Sequence, residues 1–186
     1  MGLPELTLRY AERARACGAE IELMPREALS GRLASFVERK QVRIAALPTQ
    51  GWPTGMREEV AAQLARLGCA VADAGASEDR SRDRLAQAEL GVTWCSAFLA
   101  DTGSLVFPSG AGLGTLASLL PPVHLALSDC EGVRPDLSAY LAECKRSLPS
   151  RLTLVTGPSR TGDIEGTMST GVHGPGAVVH WILTGR

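Results

Sequence analysis

Along most of the chain, short apolar runs of strand length alternate with segments whose apolar residues recur at helical spacing. The helical segments carry Leu3, Leu6, Tyr10, Ala14 and Cys17; Leu29, Leu33, Phe36 and Val37; Met56, Val60, Leu64 and Leu67; and Leu137, Tyr140, Leu141 and Cys144, each a stripe that needs a core to face. The runs of strand length are IELM (21–24), VRIAALP (42–48), SAFLA (96–100), SLVF (104–107), VHLAL (123–127), LTLV (152–155) and AVVHWIL (177–183). A continuous apolar strand is buried on both faces, and strands separated by helices cross over in parallel. The pattern therefore predicts an α/β fold with helices on both faces of the sheet. Only Asp101, Thr102 and Gly103 separate SAFLA from SLVF, too few residues for a parallel crossover and the right number for a hairpin, so the sheet is expected to be mixed and mostly parallel.

The 186 residues fit one domain over 1–186 with an N-terminal helix inside 1–20, and a domain of this size buries roughly 70% of its unfolded surface without a covalent staple. The 19 basic and 20 acidic side chains nearly cancel, and aromatic residues make up only 4% of the chain. That balance sets aside nucleic-acid binding, which needs a basic face and stacking platforms, and binding to an anionic membrane surface. Cys17, Cys69, Cys95, Cys130 and Cys144 form no C-x-x-C pair and have no histidine at zinc spacing, so no zinc or iron-sulfur cluster is expected in this chain. Charges run through MGLPELTLRYAERARA, and no stretch approaches a membrane span, which leads to the expectation of a cytoplasmic protein. The cluster SEDRSRDR (77–84) reads as a solvated loop running into a helix.

Three polar stretches interrupt this apolar frame. GAGLGTLA (110–117) contains G-x-G-x-x-A from Gly112, but Pro121 and Pro122 close the following helix after a few residues, too early for the crossover helix of a dinucleotide fold. A flexible glycine loop with a short helix is the better reading. Asp101, Thr102, Gly103 and Ser104 make a polar turn that either cradles an anion or satisfies itself across a tight hairpin. GPSRTGDIEGTMSTGVHGPG (157–176) sets Ser159, Arg160, Thr161, Asp163, Glu165, His173 and Gly174 on glycine- and proline-bearing turns, where backbone amides can approach a ligand closely. His124 and His180 lie inside strand-like runs and read as hydrogen-bonded packing residues. His173, flanked by Gly171 and Gly174, stands open between a functional and a structural role.

LGVTWCSAFLADTGSLVFPSG, LLPPVHLAL, GPSRTGDIE and GVHGPG, taken in this order, resemble the LUD domain family of bacterial lactate utilization proteins, over roughly residues 90–186. The resemblance implies a fold similar to the phosphosugar-isomerase and CoA-transferase-like group, a relation shared with 5-formyltetrahydrofolate cyclo-ligase. It also implies a non-redox subunit of a system that oxidises L-lactate to pyruvate, with the iron-sulfur clusters in partner proteins. The family's usual turn reads Glu-Thr-Gly where this chain has Asp101, and the shorter side chain changes its reach by about 1.5 Å. Under the resemblance the three turns sit at strand ends, where open α/β sheets take ligands. Arg160 would then offer a bidentate fork to a small carboxylate or phosphate, Ser159, Thr161 and His173 would add neutral hydrogen bonds, and Asp163 and Glu165 would orient Arg160. Two alternatives stay open: Arg160 is a strut consumed by those acids, or the chain is a free-standing enzyme acting on a small anionic metabolite, CoA ester or folate.

Overall fold

The computed structural model describes residues 5–75, 79–110, 114–144, 148–162, 168–171 and 173–185. The elements run α1 (Glu5–Ala16), β1 (Glu20–Pro25), α2 (Leu29–Lys40), β2 (Ile44–Pro48), α3 (Met56–Arg66), β3 (Ala70–Ala74), α4 (Asp79–Ala86), β4 (Leu90–Trp94), β5 (Ala97–Leu99), β6 (Ser104–Pro108), β7 (Val123–Asp129), β8 (Val133–Arg134), α5 (Leu137–Glu143), β9 (Leu152–Val155), β10 (Arg160–Gly162), β11 (Met168–Thr170) and β12 (Ala177–Thr184). The apolar stripes and runs of the sequence map onto these elements with ends shifted by a residue or two. β3 and β4 were not marked by hydrophobicity, because small residues and Asp73 dilute the one and Gly91 and Thr93 the other.

Six strands form the main sheet in the order β1-β12-β7-β4-β2-β3, and every neighbouring pair is parallel. The hairpin expected from the short Asp101–Gly103 connection is present, with β5 antiparallel to β6. It belongs to a separate four-stranded sheet, β8-β5-β6-β9, so the mixed pairing is segregated from the main sheet rather than placed at its edge. The glycine loop is followed by a 3-10 turn, Thr115–Ser118, in place of a crossover helix. α4 begins inside the charge cluster.

Side-chain alternation divides the main sheet into two faces. Leu47, Leu90, Val92, Leu125, Leu127, Val179 and Trp181 pack with Leu33, Phe36 of α2 and Met56, Val60, Leu64 of α3, and the Phe36 and Trp181 rings meet edge to face at 5.3 Å. On the other face Ile21, Ala126, Val178 and Ile182 meet Tyr10, Ala11 and Ala14 of α1 and Phe98, Leu105 and Phe107 of the small sheet. Beside them, Ala46 of β2 and Ala72 and Ala74 of β3 pack with Leu85 of α4 and with Ala117. Gly91 permits this last contact, since a Cβ there would run into the Ala117 carbonyl oxygen. A fully buried leucine or phenylalanine stabilises the fold by about 1.5–3 kcal/mol, so the two apolar layers account for where the chain closes.

Candidate functional site

The three polar turns gather at the carboxyl end of α1. Gly103 has φ +71°, and a Cβ on it would stand 2.7 Å from the Ala14 Cα. The turn therefore lies directly on the last turn of the helix. Ser104 donates to the Thr102 hydroxyl at 2.8 Å and sits 2.7 Å from the Thr156 hydroxyl, which ties this turn to the one that follows β9. Gly157, at φ +75°, is packed against the Cys17 carbonyl. Arg160 donates through Nη2 to that same carbonyl at 3.2 Å while standing exposed, a cation at the negative end of a helix dipole.

The last turn joins through Ser159. The Ser159 amide donates to the Pro175 carbonyl at 2.8 Å, the Gly171 amide donates to the Ser159 carbonyl at 3.0 Å, and Gly174 faces the Ser159 Cβ. His173 is exposed on this loop. The backbone of Thr161 lies in β10, paired with Ser169 of β11. Asp163 and Glu165 lie outside the described residues. The Asp101 amide donates to the Pro135 carbonyl at 3.1 Å; its Oδ1 is buried and has no hydrogen-bond partner among the described residues. Thr102, Gly103, Ser104, Ser159, Arg160 and Gly174 thus lie on turns that meet at the end of α1. Their edge of the sheet is the other one, however. The Gly176 amide donates to the Pro122 carbonyl, next to the first residues of β7 and β12, and α1 leads into β1, so the turns line the amino ends of these parallel strands rather than the carboxyl ends where open sheets take ligands.

The buried histidines form part of the core. His180 sits 2.8 Å from the Tyr10 hydroxyl through Nδ1 and 2.8 Å from the Ser128 hydroxyl through Nε2, and His124 Nε2 lies 2.8 Å from the Thr93 hydroxyl. Burial pushes both imidazoles down to about 3, His124 adding to the effect on His180, so both are neutral at physiological pH. Burial pushes the Cys95 thiol up to about 12, far from the low value an activated nucleophile needs. Among the described residues, no three His, Cys, Asp or Glu side chains come together as a metal site.

At the carboxyl edge a crevice of about 50 Å³ opens between the ends of β2 and β4, lined in part by Gln50, Gly51, Thr93, Trp94, Phe107 and Pro108. Sequence reasoning missed it. The available signal was TQGWPTGM (49–56), a glycine- and proline-bearing connection running directly from a strand into a helix.

The family model described as LUD domain matches residues 8–183. A lactate utilization protein C from Geobacillus sp. is 34% identical over 56% of this chain and 46% of its own length, and one from Halalkalibacterium halodurans is 34% identical over 52% and 45%. The chain spans about half the length of these curated relatives. A crystal structure of a DUF162 family protein from Deinococcus radiodurans superposes with a TM-score of 0.67 over 99% of both chains at 18% identity, a likeness of fold. No helix among the described residues is long and apolar enough to cross a membrane.

Proposed function

The chain belongs to the LUD domain family, and from that premise we propose that it serves bacterial lactate utilization in the cytoplasm, as a subunit with no redox cofactor of its own. In this reading it holds a small carboxylate or phosphate at the turns around Arg160. The curated relatives it matches carry the name lactate utilization protein C, which supports the role. Oxidising L-lactate to pyruvate removes two electrons and two protons. This chain's cysteines have no cluster spacing, so the acceptor is assigned to iron-sulfur partner proteins.

The observation that carries the ligand reading is the convergence of three glycine-flanked turns on an exposed arginine at the end of α1. Arg160 uses Nη2 on the Cys17 carbonyl while its planar fork stands at the surface, the geometry that suits a carboxylate. Ser159 and Thr102 lie on the same set of turns and add hydroxyl groups.

Calorimetric titration with L-lactate, pyruvate, phosphate and CoA tests this. Arg160→Lys keeps the charge and can still reach a helix-end carbonyl but loses the fork, so anion affinity should fall by about 1 to 3 kcal/mol with the melting temperature nearly unchanged. A wild type that binds none of these anions, with a variant that only melts earlier, makes Arg160 a strut and removes the site. The purified chain is expected to be colourless and free of stoichiometric iron, zinc and flavin. Elemental analysis and an absorbance spectrum check that, and a tagged copy from its native cells should retain iron-sulfur proteins.

A further inference from the structure

The crevice at the carboxyl edge is a separate place for a small molecule, on the opposite edge of the sheet from Arg160. β2 continues through α3 to β3 on one side, while β4 stands on the other side of β2, next to β7. Where neighbouring strands send the chain in opposite directions, neither connection covers the gap at their carboxyl ends. β2 and β4 pair only at Ala45↔Leu90 and Ala46↔Gly91, so the ladder stops short and the last residues of both strands border the crevice.

No side chain lining it is charged. Arg57, in the first turn of α3, donates through Nε to the Pro48 carbonyl at 2.9 Å and is ion-paired with Asp73. Trp52 donates to the same carbonyl at 3.0 Å. Gln50 is exposed and offers both a donor and an acceptor. Thr93 is held from behind by neutral His124. If the imidazole donates, the threonine O–H is left to donate elsewhere; if it accepts, the threonine lone pairs are left to accept. Trp94 and Phe107 supply aromatic surface. A carboxylate placed here would lose hydration with no cation to compensate it, whereas an amide-like edge would find matching partners. The volume of about 50 Å³ suits such an edge.

We propose that this crevice binds a small, uncharged, planar molecule with an amide-like edge, of the nicotinamide or nucleobase class, through Gln50 and Thr93 and against Trp94 and Phe107. Such edges combine a donor and an acceptor with a flat apolar ring, the combination that hydroxyl, carboxamide and aromatic side chains recognise together.

Titration calorimetry with nicotinamide and with adenosine as probes tests the proposal. The wild type should show saturable binding of at least one probe at millimolar concentration or below. Gln50→Ala, an exposed change that leaves the core intact, should weaken it by at least about tenfold, and Trp94→Leu should do the same. Arg160→Lys should leave it unchanged, so the failure of one site is distinguishable from the failure of the other. Thermal melts confirm that each variant is folded. The proposal is overturned if neither probe saturates, if folded Gln50→Ala binds as tightly as wild type, or if L-lactate displaces the probe competitively.

Discussion

Mild acid is expected to destabilise this protein well before its carboxylates are protonated. His124 and His180 are completely buried, and burial holds both imidazoles near 3, against 6.5 for an exposed histidine. Above the unfolded value both rings are neutral in the folded and the unfolded chain, and their contribution to stability is fully present. As the pH falls through 6.5 toward 3 the unfolded chain takes up two protons that the folded core refuses, so stability declines throughout that window. Each histidine then costs about 1.4 kcal/mol per pH unit. Between about pH 7 and about pH 5 the loss should reach about 4 kcal/mol for the pair, a large part of the 5–15 kcal/mol a typical domain has. Urea unfolding at these two pH values measures it, in a range where ordinary carboxylates stay ionised in both states. Equal stability at both would mean that the rings are hydrated or carry a buried counter-charge.

Replacing Gly103 with valine is expected to cost about 4 kcal/mol, near the upper end for a single substitution. Two causes add. At φ +71° a β-branched residue is forced into the left-handed region, where even an ordinary side chain costs about 1–2 kcal/mol. The new Cβ would also overlap the backbone of Arg13 and Ala14, so α1 must lift from the turn and draw Tyr10 away from Phe98 and His180. For a chain of this length that loss lowers the melting temperature by about 10 °C. Thermal melts of Gly103→Val beside Gly103→Ala check it, with alanine losing less because it lacks the branch. A valine variant that melts with the wild type would mean that α1 does not rest on this turn.

Much of the candidate site was legible as separate pieces. Gly103 and Gly157 each sit in a turn whose sequence announces it, and Ser159, Arg160 and Gly174 lie on stretches whose glycines and prolines mark turns. Their meeting around Ala14 and Cys17 was not legible, because 143 residues separate Arg160 from the carbonyl it reaches and no local rule spans that distance. The crevice was harder still. Gln50, Thr93 and Phe107 come from three segments with no common spacing; the pairing of β2 with β4 brings the first two together, and the packing of the second sheet on the first brings Phe107 to them.

By itself the sequence determined the elements whose physics is local: the stripes of α1, α2 and α3, the apolar runs of β7 and β12, the hairpin forced by the three residues between the SAFLA and SLVF runs, and the short turn that Pro121 and Pro122 impose after the glycine loop. Propensity, periodicity and turn length act within a few residues and survive without tertiary contacts. Only the tertiary structure decided the strand order, the removal of the antiparallel pair to a second sheet, the hydrogen-bond partners of the two buried histidines, and the edge of the sheet on which each group of polar residues falls. Those outcomes depend on which apolar faces close on one another across the whole chain. Parallel strands of similar composition can be arranged in many orders with the same local pattern, and the difference in free energy among them lies in side-chain packing between segments far apart in sequence.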